Sequence, residues 1–351
     1  MTTSKNSKLS FKSKVFIALG ILFVVMLAGT AFNYYLKYFG PNVTDNTEYL
    51  YIKTGSDFDD VYETIRKDEI VKDSVSFLNA ANNMDYPGSV KPGRYRLKQG
   101  MSNRSFINML KAGNQEPVKI SFQNVRLKQT LAGMVAKKLE TDSASIGSLL
   151  DSASFVGKYG FNTDNVYTMF IPNSYELYWN TSAEKFFIRM HDEYQKFWTP
   201  ERKAKAAKID LSPIQVSILA SIVDGEALMD KEMPTIAGLY MNRLKKGMKL
   251  EADPTVIFAA NDFTIRRVLN KHLRISSPYN TYMNTGLPPG PISMPSINAV
   301  DAVLNYASHD YIYMCAKEDF SGYHNFATNL AQHSINARKF QQALNARNIK
   351  K

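Results

Sequence analysis

The order of apolar and polar positions divides the chain into stretches of different kinds. Residues 15–35, VFIALGILFVVMLAGTAFNYY, carry no charge and are long enough to cross a bilayer as a helix. Lys5, Lys8, Lys12 and Lys14 precede the run, and Tyr34 and Tyr35 close it. Flanking lysines and interfacial tyrosines predict a cytoplasmic tail over 1–14, a single membrane helix over 15–35 and an extracytoplasmic remainder. A cleaved signal peptide, with Gly29 and Ala31 near the cut, is the rival reading. Residues 36–47, with Gly40 and Pro41, read as a linker.

Beyond the linker the periods alternate between two and 3.6. EYLYIKTG (48–55) alternates like a strand; Ser56 is a candidate cap for a helix that keeps Phe58, Val61 and Ile65 on one face. SVSFLNAANNM (74–84) predicts a second helix, KPGRYRLKQG (91–100) a turn into a strand, and 102–114 a helix ended by Gly113. These elements predict a small α+β module over 48–115. PVKISFQNV (117–125) is again strand-like, 127–139 is helical with Leu131, Val135 and Leu139 on one face, and 143–160 stays helical. VYTMFIPNSYELYW (166–179) gathers Tyr167, Phe170, Tyr175, Tyr178 and Trp179, a pattern that serves a core or, through Tyr175, a sugar-binding face.

One helix stands out. Ser212 caps it, Pro213 takes its first position and Gln215 completes a capping box. Ile214, Ile218, Leu219, Ile222 and Val223 cover one half of the wheel, and Glu226 falls between Leu219 and Ile222 on that face. A carboxyl so placed is desolvated, has a raised pKa and suits a general acid; a structural ion pair with an arginine is the alternative. Asp224 points away and is solvated or caps something nearby. Two-carboxylate glycosidases need a partner acid; Asp224, Glu176, Glu251 and Asp253 are candidates, and spacing does not choose among them.

Charge and composition narrow the partners. A net charge of +11 and pI near 9.4 favour anionic partners, but no nucleic-acid-binding signature is present. The one cysteine, Cys315, lies in the strand-like YIYMCA and reads as a buried small hydrophobe. His324 and His333 lack metal-ligand spacing, so neither a metal nor an organic cofactor is expected.

ASIVDGEA, IAGLYMNRLKKGMKLEADPTVIFA, SPYNTYMNTGLPPGPISMPS and GYHNFATNLAQH, in this order, resemble the YceG-like endolytic murein transglycosylases, as do MFIPNSYELYW and KPGRYRL. The resemblance runs from about residue 48 to the C-terminus. It implies an α+β fold: a membrane helix, a LysM-like module over 48–115 and a catalytic domain over 116–351 with its core over 160–340. It implies endolytic cleavage of peptidoglycan glycan strands, leaving a 1,6-anhydro-muramic acid end, with cell-wall synthases as possible neighbours and no nucleic acid.

The family's catalytic glutamate falls on Glu226; Asp224 and Gly225 stand where the family commonly has glutamate and lysine. Such an enzyme works with one carboxyl, because the muramyl C6 hydroxyl is its own nucleophile. Matching positions predict a sugar cleft from Asn242 (beside Arg243), Asp253, Thr255, Asn280, Thr281, Tyr282, Asn325 and Asn329, with Tyr175. Asp253 and Thr255 are placed on a proline-stiffened loop. A water-using muramidase and a non-catalytic wall-binding scaffold are the rivals.

Overall fold

A computed structural model of the protein describes residues 10–347; Lys5 and Lys8 of the predicted tail lie outside them. The chain mixes helices with three two-stranded sheets. It divides into two compact units, one running to Val118 and including Tyr178–Asn180, the other holding Lys119–Leu177 and the chain from Thr181.

The first unit begins with α1 (Phe11–Phe39), capped by Ser10, whose side chain accepts from the Ser13 N–H. Its 29 residues rise roughly 43 Å. Its apolar side chains are exposed along most of the length, and by length and composition the helix suffices to cross a membrane. Only its last turn joins the unit's core, through buried Tyr38, whose hydroxyl accepts from Asn83 Nδ2 at 2.8 Å.

Strand β1 (Tyr49–Ile52) is followed by α2 (Phe58–Lys67), α3 (Ser74–Asn83), β2 (Gly93–Arg96) and α4 (Asn103–Ala112). β1 and β2 pair antiparallel, Tyr49 opposite Arg96. Asp57, not Ser56, caps α2, in a reciprocal capping box with Asp60; the cap is the residue directly before the first helical one. Val61, Ile65, Phe77, Phe106, Ile107 and Leu110 close the core beneath the hairpin. Gly113 ends α4 in the left-handed region at φ 73°, as a C-terminal glycine does.

In the second unit β3 (Val118–Ser121) leads to α5 (Lys128–Ala136), α6 (Ser143–Leu150) and α7 (Ala153–Gly157). The stretch read as one continuing helix is therefore broken, because Ser152 caps α7 anew. β4 (Ser174–Leu177) pairs with β3 and is followed by α8 (Ala183–Phe197) and α9 (Pro200–Lys208). Then come α10 (Pro213–Glu226), α11 (Met233–Lys245), α12 (Asp253–Ala260), α13 (Ile297–Leu304), β5 (Tyr313–Ala316), β6 (His324–Ala327) and α14 (Leu330–Ala346).

Helix α10 starts with the expected Ser212–Gln215 capping box and Pro213. Its burial differs from the half-covered wheel: every residue from Val216 to Val223 is buried. The helix is central, packed by α11, α12 and α13, as a helix apolar all round must be. Its serines satisfy themselves internally, Ser217 on Pro213 O at 3.1 Å and Ser221 on Ile218 O at 2.7 Å.

Candidate active site at the end of the central helix

Glu226 is the last residue of α10, so a helix buried along its middle delivers its terminal side chain to the edge of the core. Part of that side chain faces a cavity of about 260 Å³. The carboxyl itself is packed by protein, and this desolvation, with the negative charge of Asp253 second, pushes its pKa up to about 7. Two donors act the other way: the Tyr240 hydroxyl, 3.1 Å from Oε1, and the Asp253 backbone N–H. No arginine pairs with Glu226 in the described structure; Arg243 is spent elsewhere.

Asp253 reaches this position because it opens α12; it lies at a helix N-terminus rather than on a loop. Gly225 permits the approach. A Cβ there would stand 2.9 Å from Pro254 Cβ, so a side chain at 225 would push the start of α12 away from Glu226. Tyr282 donates to Asp253 Oδ1 at 2.7 Å. Among the candidate partner acids, Asp253 and Glu251 line the cavity with Glu226, and Glu176 does not. Asp224 caps, as one of its two readings held: it accepts from Ser296 Oγ at 2.6 Å and Ser296 N–H at 3.3 Å, ahead of α13.

Arg243 shapes the opposite rim. Buried on α11, it donates to Ile312 O at 2.7 Å, to Lys249 O and Leu250 O at 3.0 Å, and to Glu251 Oε2 at 2.9 Å. One planar donor set thus ties α11 to the strand lead-in and to the turn at Glu251, which has a positive φ of 52°. Met314, Cys315 and Ala316 of β5 and His324 of β6 form the remaining wall. Cys315 is half-buried against the cavity, not sunk in a core.

The other predicted sugar contacts divide sharply. Tyr282 and Asp253 line the cavity. Thr255, Asn280 and Thr281 are buried beneath it. Thr255 and Thr281 join hydroxyls at 2.8 Å, and Thr281 Oγ1 accepts from Ala252 N–H at 3.0 Å. Asn280 holds Leu273 O and Ile275 O at 3.1 and 2.8 Å and accepts from Tyr282 N–H. These residues carry the loop that carries Tyr282. Asn242 donates to His309 O and Tyr311 O at 2.7 and 3.0 Å, fastening α11 to the approach to β5.

Asn325, beside His324, donates to Glu318. Asn329 is the N-cap of α14, its side chain accepting from Gln332 N–H. Tyr175, offered as a sugar platform, is 3% exposed with its hydroxyl on Ile171 O at 2.6 Å; it belongs to the aromatic core with Phe122. Tyr240 was not among the predicted residues. It stands 14 residues from Glu226 in an apolar stretch where a tyrosine reads as core, and no local spacing links the two.

The sequence pattern of the YceG-like family matches residues 50–339. An endolytic murein transglycosylase of Bacillus subtilis (strain 168) is 28% identical over 341 residues, covering 91% of this chain and 92% of that protein. One of Streptococcus pneumoniae serotype 2 is 24% identical over 338 residues, covering 86% of this chain and 61% of the longer relative. A crystal structure of a YceG-like protein from Listeria monocytogenes shares the fold, with a TM-score of 0.54 and 23% identity over 82% of this chain and 98% of that one. With the family pattern spanning most of its length, the chain belongs to the YceG-like family.

Proposed function

We propose that this protein is a lytic transglycosylase that cuts the glycan strands of peptidoglycan internally, with Glu226 as its acid. The observation that carries the reading is the desolvated carboxyl at the end of α10, whose pKa of about 7 keeps a large protonated fraction at neutral pH. The relatives named endolytic murein transglycosylases supply the substrate class. Glu226 protonates the glycosidic oxygen between muramic acid and glucosamine. The muramyl C6 hydroxyl then attacks its own anomeric carbon, an internal reaction favoured by proximity. The hydroxyl proton must leave as the new bond forms, and the Glu226 carboxylate is its simplest acceptor. Helix α1 anchors the chain in the membrane with its lysine-flanked end inside and the rest of the chain outside.

Asp253 beside Glu226 favours a second reading, hydrolysis by a carboxylate pair. Mass analysis of digested peptidoglycan separates the two, because an anhydro end is lighter than a hydrolytic end by one water. Anhydro ends from the wild type and none from Glu226→Gln are expected. Hydrolytic ends, or full cleavage by Glu226→Gln, would sink the proposal.

A further inference from the structure

We propose that His324, held by Glu232, is a second proton-handling group of the Glu226 cavity and takes the proton of the attacking muramyl hydroxyl. This rests on the lytic reading above and changes which residue completes it.

Both ends of the Glu232 carboxylate are committed to one residue. Oε2 lies 2.9 Å from His324 Nδ1, and Oε1 accepts the His324 backbone N–H at 2.9 Å. The ring is therefore fixed in position and in tautomer. With Nδ1–H donating to a carboxylate, the neutral imidazole keeps its lone pair on Nε2. Glu232 is only 8% exposed and stands at the N-cap of α11. A carboxylate on Nδ1 orients the ring, as the aspartate does in a serine-protease triad.

His324 lines the cavity that Glu226 lines. Both side chains thus border one space of about 260 Å³. Glu226 comes from the end of α10 and His324 from β6.

The step balances without water. The bond from the anomeric carbon to the leaving oxygen breaks, and that oxygen takes the Glu226 proton. The C6 oxygen bonds to the anomeric carbon, and its proton passes to His324 Nε2. Glu226 ends as a carboxylate and His324 as an imidazolium; proton return through solvent restores both. Two groups allow donation and acceptance to overlap in one transition state, which a single carboxyl can perform only in sequence.

The test uses the full chain and two substrates: native glycan strands, and a muramyl glycoside whose leaving sugar is replaced by methylumbelliferone. The aryl group departs without an acid but leaves the internal attack in need of a base. On glycan strands, His324→Gln is expected to lower kcat by about 10²–10⁴-fold, the usual contribution of a general base, with KM little changed. On the aryl glycoside, Glu226→Gln regains activity and His324→Gln stays slow. Glu232→Gln, which still accepts the backbone N–H and so keeps the fold, is expected to lower kcat on both substrates, and it carries the test if His324→Gln misfolds.

Wild-type kcat in His324→Gln, or a change confined to KM, overturns the proposal. So does an aryl glycoside on which Glu226→Gln stays dead while His324→Gln is normal, because Glu226 then carries both protons. Hydrolytic ends from the wild type instead overturn the lytic reading beneath it.

Discussion

A cavity in each unit surrounds its charged groups differently. In the first unit, β1 and α2 line about 770 Å³ with Lys53, Asp60, Glu63, Arg66 and Lys67, all exposed. In the second, about 260 Å³ is lined by a carboxyl that protein atoms strip of water. Charges in water interact weakly with one another, whereas a desolvated carboxyl stores a free-energy difference that acid catalysis can use. Volume therefore does not locate the chemistry here. The desolvated carboxyl lies instead where a buried helix ends.

The sharpest break of this contrast is a pair of isosteric changes. Glu226→Gln should lower the cleavage rate by about 10²–10⁴-fold, while Glu63→Gln in the larger cavity should leave it unchanged. Release of muropeptide ends from purified peptidoglycan measures both. Equal losses would erase the distinction.

Stability should move the opposite way. The folded pKa of Glu226 lies near 7 against an ordinary 4.5. The folded chain thus binds this proton more tightly, and the stability it confers is present below pH 4.5 and lost as pH rises through 7. Glu226→Gln, which never ionises, should gain on the wild type across that window, by on the order of 3 kcal/mol in full. Thermal melts at pH 4.5, 6 and 8 check it; a gap between the two proteins that does not widen with pH would contradict the burial argument.

Two smaller changes should displace the pH profile in opposite directions. With Glu226 as the proposed acid, its protonated form is the active one, and kcat/KM should fall as pH rises through about 7. Asp253→Asn removes a negative charge that raises the Glu226 pKa, and the falling limb should move to lower pH. Tyr240→Phe removes a donor that favours the carboxylate, and the limb should move to higher pH. Shifts in one shared direction would mean that Asp253 and Tyr240 act on something other than this proton.

The smallest effect concerns residues that only resemble site residues. Asn329→Ala deletes the N-cap of α14 and should cost about 1 kcal/mol, seen in denaturant melts, with kcat and KM unaltered. A raised KM would return Asn329 to the sugar site.

What was readable beforehand follows the range of the forces involved. Elements set by local period and capping were legible: the Ser212–Gln215 box, the face of α5, the end of α4 at Gly113, and the apolar run that becomes α1. Thr255, read with Asp253, and Asn280 and Thr281, read with Tyr282, are expected as sugar contacts but lie buried. Polar side chains in a loop look alike whether they bind sugar or bind backbone, and only their burial separates the cases.

By itself the sequence determined that Glu226 shares the apolar face of a capped helix while Asp224 does not, because helical period and capping are local. Only the tertiary structure decided what that carboxyl meets. Tyr240, and Asp253 behind the gap left by Gly225, are brought to it by packing across α11 and α12. Desolvation and pKa depend on those through-space neighbours, and no spacing along the chain encodes them.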